Sequence, residues 1–466
     1  MPTQPESLVA ALTAELGPRV GHRSPAQAWG VFTSERLVHV EAGGSDVPDA
    51  AHTAFRIASC TKSFTAAAAL LLSDDGLLDL DEPLADALDV PLRILGPSGP
   101  APTVRDALAM RAGFPTDDPW ADRQESLGED AFGRMLAAGV RAMWPAGHRY
   151  EYSNLGYAIV GRIIGRRAGM PYRRVVETRL LEPLGLTGTG FDASVRSAGG
   201  AVPGYRPTPE GWQRLPFSGP GAFSPIGGLF STVSDLARWC AVLAQAGDAA
   251  GLLPRGITER MQHPETPVLG DPHAAGPWQA YGLGLVVRAD AAGRRFLAHS
   301  GGYPGFSSFM TWEALSGLGA VAFENATYAG VTAAVRAAMD EVFGSAPVAE
   351  SAVEAAEPWP ETVEAAERLR AVLIDGTLRD GELFDTCVGL DRPFAERQAE
   401  LAELIADIDG IDRVGPLTHH TPARAGWLLH GPRGVIRCGI AMTPLAATRV
   451  QRLDIARDPQ HDGARP

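Results

Sequence analysis

Lysine is almost absent from this chain. Among the 466 residues, 41 are lysine or arginine, and Lys62 is the only lysine. Arginine can serve any solvated surface charge or ion pair but does not give up its proton, whereas a suitably placed lysine titrates near neutral pH. We therefore infer that position 62 requires an amine that can lose and regain a proton.

Cysteine is also scarce. The four cysteines are Cys60, Cys240, Cys387 and Cys438. They lie far apart and form no CxxC pair, a pattern that favours neither a disulfide framework nor a zinc site. We interpret them as reduced, buried thiols. Because His419 and His420 have no carboxylate or cysteine cluster at ligand spacing, we predict no metal and no other cofactor.

Excess positive charge and long apolar runs are missing as well. A net charge of −14 argues against binding to phosphate backbones or anionic lipid, which both need clustered positive charge. The start "MPTQPESLVAALTAELG" lacks the basic and apolar regions of a signal peptide, and "AAAALLL" is too short to cross a bilayer. We expect no nucleic-acid partner, no membrane partner and a cytoplasmic location.

Residues 1–345 alternate between strand-like and helix-like segments. "GVFTSERLVHVEAG", "RFLAHSGGYPGFSSFMTW" and "LGAVAFEN" predict strands joined by polar or glycine-rich turns. "TKSFTAAAALLLSDDG", "LGYAIVGRIIGRRAG" and "TVSDLARWCAVLAQAG" predict helices that stop at Gly76, Gly169 and Gly247. The pattern indicates an α+β fold in which a helical region lies between the segments of an antiparallel sheet.

The composition changes near residue 345. "GSAPVAESAVEAAEPWPE" is typical of a linker, which we place at residues 346–360. The helix-like segments "ETVEAAERLRAVL" and "FAERQAELAELIADIDG" follow, and then the strand-like segments "AGWLLHG", "GVIRCGIAMT" and "TRVQRLDIA". Residues 361–466 are therefore predicted to form a small α+β domain.

Ser59 lies three residues before Lys62, at the start of a predicted helix. Side chains at this spacing share a helix face, with their Cβ atoms about 5–6 Å apart, so the two groups can share a proton. A helix N-terminus also favours negative charge developing on the serine oxygen. The spacing alone is a weak motif, and it gains weight because it uses the only lysine.

Two further short motifs accompany this pair. Tyr152-Ser153-Asn154 begins a predicted helix, and His299-Ser300-Gly301 ends a predicted strand at a glycine-rich turn. Together with "SCTK" they supply a nucleophile, candidate bases, an amide and a sheet edge.

The set resembles the penicillin-recognising serine hydrolases, in the branch of class C β-lactamases, DD-carboxypeptidases, related esterases and D-aminopeptidases. "SCTK", "YSN" and "HSG" occur in the order of that family, and "DEPLADAL", "LAMRAGFP", "LEPLGLTGT" and "GGLFSTVSDLARW" support the match. The resemblance covers residues from about 8 to 343. It implies a β-lactamase/DD-peptidase-like fold for this part of the chain.

The resemblance also implies roles for individual residues. Ser59 attacks a carbonyl, Lys62 and Tyr152 move protons, and Asn154 helps to hold Lys62 and the substrate amide. The backbone N–H groups of Ser59 and Gly302 form the oxyanion hole. A serine hydroxyl needs a neighbouring group to accept its proton, and whether Lys62 or Tyr152 does so stays open.

His299 departs from the Lys-Thr-Gly triplet of the β-lactamases. Histidine is mostly neutral at pH 7, so it would hold a substrate carboxylate weakly. Strong β-lactam hydrolysis is therefore not expected, and esters, thioesters, amides or D-configured peptides are the expected substrates. Ser300 and Gly301 of the same triplet are expected to bind substrate. With the other motifs present, His299 is predicted to be a catalytic residue, whereas alone it would be interpreted as a hydrogen-bonded histidine at a strand end.

Arg449, in "ATRVQRLDI", is a candidate for bidentate binding of a substrate carboxylate. The alternative is a solvated position on a strand. An added C-terminal domain resembles the penicillin-binding-protein-type thioesterases that release and cyclise nonribosomal peptides. Plain esterases share this layout.

We therefore predict a serine hydrolase or acyltransferase that acts on a small-molecule or peptidyl acyl substrate. In the cyclase version the substrate is a thioester bound to a carrier protein. The alternatives are a carboxylesterase, a D-aminopeptidase, a DD-carboxypeptidase, or a binding module without turnover. The sequence leaves open the identity of the substrate, the choice between hydrolysis and aminolysis or cyclisation, the role of the C-terminal domain and the oligomeric state.

An amine-reactive reagent tests the role inferred for Lys62. Apart from the N-terminal amine, Lys62 is the only primary amine of the chain. Because a proton-transfer lysine is expected to be buried, we predict labelling of the native protein at the N-terminus alone and of the denatured protein at both amines, read by peptide mass spectrometry. Rapid labelling of native Lys62 with activity retained would count against that role.

Overall fold

Apolar segments of the described chain form two larger antiparallel sheets, against which helices pack, and three pairs of short strands. The computed structural model describes residues 3–44, 46–195, 200–245, 247–274, 276–345 and 356–459. The strands are β1 Gln27–Phe32, β2 Leu37–Gly43, β3 Phe55–Arg56, β4 Ile94–Leu95, β5 Val140–Arg141, β6 Gly204–Thr208, β7 Gly211–Leu215, β8 Phe230–Ser231, β9 Thr266–Leu269, β10 Trp278–Tyr281, β11 Val286–Ala289, β12 Arg295–Tyr303, β13 Phe306–Glu313, β14 Gly319–Glu324, β15 Arg413–Val414, β16 Thr418–Thr421, β17 Arg424–Gly431, β18 Gly434–Met442 and β19 Val450–Arg457.

In chain order, most of the helices fall between β2 and β9, and the helices from α13 onward follow β14. They are α1 Gln4–Leu16, α2 Thr61–Asp74, α3 Leu84–Ala87, α4 Val104–Leu108, α5 Asp118–Ala121, α6 Glu129–Ala138, α7 Asn154–Ala168, α8 Tyr172–Val176, α9 Glu182–Leu184, α10 Ser224–Gly227, α11 Val233–Leu243, α12 Arg255–Met261, α13 Val331–Phe343, α14 Pro360–Ile374, α15 Thr386–Asp391 and α16 Phe394–Asp407. Short 3₁₀ turns occupy Gly17–Arg19, Ala58–Cys60 and Gly247–Ala249, and a π turn occupies Glu177–Leu181.

The larger sheet has the strand order β2-β1-β14-β13-β12-β11-β10-β9, with antiparallel neighbours throughout. Every residue of β1, β13 and β14 is buried, because helices cover both faces of the sheet. Along β1, Trp29 and Val31 pack with α1 and α13, whereas Ala28 and Phe32 join the main core on the opposite face. Pairing of β1 with β14 brings distant parts of the chain together.

Helix α2 runs through the main core. Its residues from Thr61 to Leu70 are all buried, and the small side chains of its alanine run let α7 and α10 pack closely. The predicted helices α2 and α7 are confirmed, and α7 ends at Gly169 in the left-handed conformation. Helix α11 is also confirmed, but it ends at Leu243, before the predicted stop at Gly247.

The α+β fold class is confirmed, as are the strands predicted around β1, β2, β12, β13 and β14. The C-terminal helices and strands also form where the patterns indicate, as α14, α16, β17, β18 and β19. The smaller sheet has the order β15-β17-β18-β19, with β16 also paired to β17. The domain boundary stays a prediction, since residues 346–355 of the predicted linker lie outside the described residues.

The C-terminal segment packs directly against the helical region. Gln451 is 1% exposed, and its side chain accepts a hydrogen bond from the Trp120 N–H at 3.2 Å and donates to the Thr116 carbonyl at 3.0 Å and the Met442 carbonyl at 2.7 Å. One hydrophobic cluster extends through both parts. None of the helices in the described ranges is long and apolar enough to cross a membrane.

Replacing Gln451 tests whether this interface stabilises the fold. Gln451→Ala leaves buried backbone groups without partners and opens a cavity, so we expect the free energy of unfolding to fall by about 2–4 kcal/mol in a denaturant titration. The exposed neighbour Arg449 is the control. Arg449→Ala should change the free energy of unfolding by less than about 0.5 kcal/mol. Equal effects of the two substitutions would contradict the prediction.

Candidate active site

Ser59 lies in the 3₁₀ turn Ala58–Cys60, directly before α2. The preceding residue, Ala58, has φ +47°, a conformation that residues with a Cβ rarely adopt. Hydrogen bonds hold the turn in place: the Ile57 N–H donates to the Leu229 carbonyl at 2.9 Å, and the Ser308 hydroxyl donates to the Ile57 carbonyl at 2.6 Å. The surrounding fold therefore imposes a strained turn at Ser59.

Strand β12 passes close to this turn. A Cβ at Gly301 would lie 2.4 Å from the Ile57 carbonyl oxygen, so the close approach requires glycine there. Pairing of β12 with β11 ends at Ala298, and residues 299–303 have no strand partner on that side within the described part of the chain. The edge around Ser300 and Gly302 therefore opens into the cavity that Ser59 lines.

Lys62 is fully buried and its amine contacts three oxygen atoms. Its Nζ lies 3.0 Å from the Ser59 Oγ, 2.6 Å from the Asn154 Oδ1 and 2.9 Å from the Ile226 carbonyl oxygen. Burial lowers the pKa of Lys62 to about 8, and the nearby carboxylates, led by Asp118, limit the shift. The amine can thus be neutral or charged near physiological pH.

Asn154 has a defined amide orientation. Its Oδ1 accepts from Lys62, and its Nδ2 donates to Asp117 at 3.1 Å and to Asp118 at 2.8 Å. Both Nδ2 hydrogens are therefore engaged within the protein, which leaves none for the expected bond to a substrate amide. Asp117 also accepts the Asn154 and Leu155 N–H groups and so caps the start of α7.

Tyr152 lies beside this pair. The Lys62 Nζ lies 5.0 Å from the centre of its ring, and Tyr152 lines the same cavity as Ser59. Burial, together with the negative charge of Asp118, raises the pKa of Tyr152 well above its ordinary value. Tyr152 is therefore a neutral phenol at physiological pH.

His299 is 2% exposed and does not line the cavity. Its Nδ1 lies 2.6 Å from the Ser300 carbonyl oxygen, which can only accept, so Nδ1 carries the hydrogen and Nε2 accepts from the Tyr281 hydroxyl at 2.9 Å. Burial and the charge of Lys62 lower the pKa of His299 to about 3. It is a neutral residue that anchors the strand end.

Cys60 follows the nucleophile candidate but is a packed thiol. Its Sγ donates to the His299 carbonyl at 3.2 Å, and burial raises its pKa to about 12, so it is not a thiolate. All four cysteines are free and buried, which confirms the interpretation drawn from their spacing.

We call the space in front of Ser59 the catalytic cavity; its volume is about 390 Å³. Its lining residues are Ser59, Asp118, Asp122, Tyr152, Ser300, Gly301, Gly302, Ser307, Tyr328, Gly330, Val331 and Thr332. A neighbouring cavity of about 510 Å³ shares Asp118 and Tyr328 with it and is otherwise lined mainly by the C-terminal segment, including Arg452. The exposed Arg449 lines neither cavity.

The fold thus brings together Ser59, Lys62, Tyr152 and Asn154, and places Ser300, Gly301 and Gly302 on the opposite wall. Sequence reasoning missed the carboxylates Asp117, Asp118 and Asp122, the Ile226 carbonyl and Tyr328. A signal for the carboxylates was present, since "TDDPWAD" directly follows the quoted segment "LAMRAGFP". A backbone carbonyl acceptor leaves no such signal in the sequence.

The chain belongs to the Beta-lactamase family, whose family model matches residues 7–342. This confirms the resemblance to penicillin-binding proteins and class C β-lactamases, a family of serine hydrolases.

Two curated relatives are similar in sequence. Protein Rv1367c of Mycobacterium tuberculosis (strain ATCC 25618 / H37Rv) is 30% identical over 325 residues, which span 60% of this chain and 80% of the relative. The D-alanyl-D-alanine-carboxypeptidase/endopeptidase AmpH of Escherichia coli (strain K12) is 26% identical over 302 residues, which span 59% of this chain and 72% of AmpH.

Three solved structures share the fold. The octameric penicillin-binding protein homologue from Pyrococcus abyssi covers 97% of this chain and 98% of its own, with a TM-score of 0.62 and 19% identity. A D-stereospecific amidohydrolase from Streptomyces sp. covers 72% of this chain and 99% of its own, with a TM-score of 0.58 and 24% identity. SurE, solved with D-Leu, covers 98% of this chain and 99% of its own, with a TM-score of 0.58 and 20% identity.

The lowered pKa of Lys62 predicts how Ser59 reactivity depends on pH. Because only the neutral amine can accept the Ser59 proton, labelling by an uncharged fluorophosphonate should accelerate about tenfold per pH unit and level off above about pH 8. The rate is measured by quenched-flow labelling and mass spectrometry, with Ser59→Ala as the blank. A rate that is constant between pH 6 and 9 would contradict the prediction.

Proposed function

We propose that the protein is a serine hydrolase or acyltransferase in which Ser59 is the nucleophile and Lys62 is the general base. The contact of 3.0 Å between the buried Lys62 amine and the Ser59 Oγ carries the proposal. With neutral Lys62, its two N–H groups donate to the Asn154 Oδ1 and the Ile226 carbonyl, and its lone pair is directed at the Ser59 hydroxyl. This arrangement suits proton removal from Ser59.

Acylation then proceeds in two steps. The Ser59 Oγ forms a bond to the substrate carbonyl carbon while its proton passes to the Lys62 Nζ. The resulting oxyanion is stabilised by the backbone N–H groups of Ser59 and Gly302, each worth about 3–4 kcal/mol of barrier. Collapse breaks the bond to the leaving group and produces an acyl ester on Ser59.

Tyr152 has the complementary role. As a neutral phenol on the same cavity as Ser59, it donates a proton to the leaving group and recovers one from the Lys62 ammonium. Lys62 is favoured over Tyr152 as the acylation base, because burial lowers the pKa of the amine and raises that of the phenol. Water completes hydrolysis, and an amine in its place completes acyl transfer.

D-configured amides and peptides are the favoured substrates. AmpH is named as a D-alanyl-D-alanine-carboxypeptidase, the Streptomyces protein as a D-stereospecific amidohydrolase, and SurE was solved with D-Leu. The neutral, buried His299 offers no charge to a substrate carboxylate, which argues against strong β-lactam hydrolysis. Simple esters and thioesters are chemically easier substrates for the same acylation step.

A peptide cyclase of the penicillin-binding-protein-type thioesterase kind is the second candidate. The cavity of about 510 Å³ beside the catalytic cavity favours it, since its C-terminal lining gives space for an extended acyl chain. In that case the substrate is a peptidyl thioester on a carrier protein, and its own amine replaces water.

Replacing Lys62 by arginine tests the proposed base. A guanidinium keeps its proton, so Lys62→Arg should lower kcat/KM for p-nitrophenyl esters by about 10²–10⁴-fold. The exposed Arg255 offers the reverse exchange as a control, and Arg255→Lys should retain parental activity. Far-UV circular dichroism checks that both variants fold. Parental turnover by folded Lys62→Arg would refute Lys62 as the base.

A substrate panel separates the remaining alternatives. A binding module without turnover would take up no fluorophosphonate or fluorescent penicillin at Ser59. If Ser59 does take up the label, kcat/KM of the unlabelled protein is compared for p-nitrophenyl esters, D-amino acid amides, nitrocefin and a linear peptidyl thioester. A macrocyclic product from the thioester selects the cyclase, whereas turnover of short esters alone excludes it.

A further inference from the structure

The smaller sheet has a cavity of about 580 Å³ on the face opposite its core. Trp427 on β17 and Cys438 on β18 are paired in the register, and both belong to the main core. Because side chains alternate along a strand, the next pair, Gly426 and Gly439, faces the other side of the sheet. We call the space above these two glycines the sheet cavity.

The backbone of the sheet does not require glycine at these positions. Gly426 and Gly439 lack a left-handed φ, and β17 pairs with β18 without a register shift from Arg424 to Gly431. A Cβ at Gly439 would lie 3.7 Å from the Ala425 carbonyl oxygen, an ordinary contact. Glycine weakens a strand interior, and where neither a bulge nor a close backbone explains it, it often marks the approach of a ligand.

Two arginines line the sheet cavity on opposite sides of the glycine pair. Arg424 precedes Gly426 by two residues, and Arg437 precedes Gly439 by two residues on the antiparallel neighbour. This places the arginines about 13 Å apart along the strands. Within the described part of the chain, neither of them forms an ion pair or a side-chain hydrogen bond.

The carboxylate that lines the sheet cavity does not balance these charges. Asp454 is the acidic residue among the described residues of the lining, and its Oδ2 already contacts the Arg452 Nε at 2.8 Å. The sheet cavity therefore carries an excess of positive charge, although the whole chain has a net charge of −14. The group that complements it is an anion.

Apolar groups form the rest of the surface between the arginines. Leu428, Ala441 and Pro416 line the sheet cavity together with the bare backbone of the two glycines. A small inorganic anion would leave this apolar surface exposed to water, and a neutral apolar molecule would leave the arginines unpaired. A ligand with an apolar body and a carboxylate satisfies both, since a guanidinium binds a carboxylate in a bidentate manner.

The sheet cavity adjoins the cavity of about 510 Å³ beside the catalytic cavity. Arg452 and Asp454 line both of them, and the cavity of about 510 Å³ in turn shares Asp118 and Tyr328 with the catalytic cavity. A carboxylate in the sheet cavity can therefore belong to a free molecule or to the far end of a long acyl substrate.

We propose that the sheet cavity is a binding site for carboxylates with an apolar body. The apolar part lies over Gly439 and beside Leu428. Arg424 pairs with the carboxylate because it is the less exposed of the two arginines and is less screened by water, and Arg437 adds positive charge. The site itself does not depend on the proposed acylation of Ser59. Only the case of a substrate's far end rests on it.

Binding of 2-naphthoate to the full-length protein tests the inference by isothermal titration calorimetry. We expect its Kd to be at least about tenfold lower than that of 2-naphthylmethanol or inorganic phosphate, because only naphthoate has both the charge and the apolar body. Arg424→Gln should raise the Kd of naphthoate about tenfold. The exposed Arg433, in the turn between β17 and β18, is the matched control, and Arg433→Gln should keep the parental Kd. Equal binding of the three probes, or a Kd unchanged in Arg424→Gln, would overturn the inference.

Gly439→Val separates a ligand site from a structural need for glycine. Valine favours strands, and the space above Gly439 accommodates it, so we expect Tm to stay equal or to rise. The same side chain occupies the sheet cavity, so the Kd of naphthoate should rise at least about tenfold. A fall in Tm would show that the strand itself needs glycine and would contradict the inference, as would a parental Kd.

Peptidyl p-nitrophenyl esters of increasing length distinguish the two sources of the carboxylate. Each is made with an N-terminal succinyl cap and with its methyl ester, which lacks the charge. A preference in kcat/KM for the succinyl form that appears at one length, and is lost in Arg424→Gln, assigns the site to the far end of a substrate. Arg424-dependent naphthoate binding without such a preference supports a site for a free carboxylate. Absence of turnover for every ester counts against the proposed function, whereas the calorimetry still decides the site.

Discussion

A primary amine buried among three oxygen acceptors is the interaction on which the rest of the site depends. As an ammonium, Lys62 donates one N–H each to Ser59, Asn154 and Ile226. As a neutral amine, it keeps the bonds to Asn154 and Ile226, and Ser59 donates to its lone pair. Because both states are fully hydrogen-bonded, the proton can move without rearrangement of the surroundings. A planar guanidinium offers no such pair of states.

The acceptors around Lys62 are themselves held by buried polar groups. Asp117 fixes Asn154 and caps α7, and the turn that carries Ile226 is held by a buried ion pair. In that pair Arg56 contacts Glu125 at 3.0 Å, and the two side chains are 2% and 1% exposed. The Arg56 Nε also donates to the Gly227 carbonyl at 3.0 Å, next to Ile226. Loss of one member would leave a buried charge without its partner. The stability of the fold and the geometry of the amine are thus coupled.

The electrostatics of the catalytic cavity follow from the same network. The fold buries His299 as a neutral anchor of β12 and directs Asp118 and Asp122 toward the space in front of Ser59. The C-terminal segment adds a second cavity that shares Asp118 with the first. Asp118 and Asp122, which moderate the pKa of Lys62, therefore also line the cavity that a substrate enters.

Local sequence patterns were sufficient to predict the α+β fold, the helices α2 and α7, most strands of the two larger sheets, and the family, but not β9–β11, β15 or β16. The length of a helix and the glycine that ends it are local properties, so one segment of the sequence is enough to predict them. The spacing of Ser59 and Lys62 along α2 is equally local. The end of α11 was misplaced by a few residues because Gln245, with φ +53°, takes the left-handed conformation that ends the helix before Gly247 is reached.

Contacts between distant segments were decided by the tertiary structure alone. The Ile226 carbonyl, the orientation of Asn154 toward Asp117 and Asp118, and the burial of His299 depend on segments far apart in the chain. So does the approach of Tyr328 to Asp122. The sequence determined which groups can react, because chemistry resides in residue type. Distance, burial and charge balance, which decide whether they react and on what, arise only when the chain is folded.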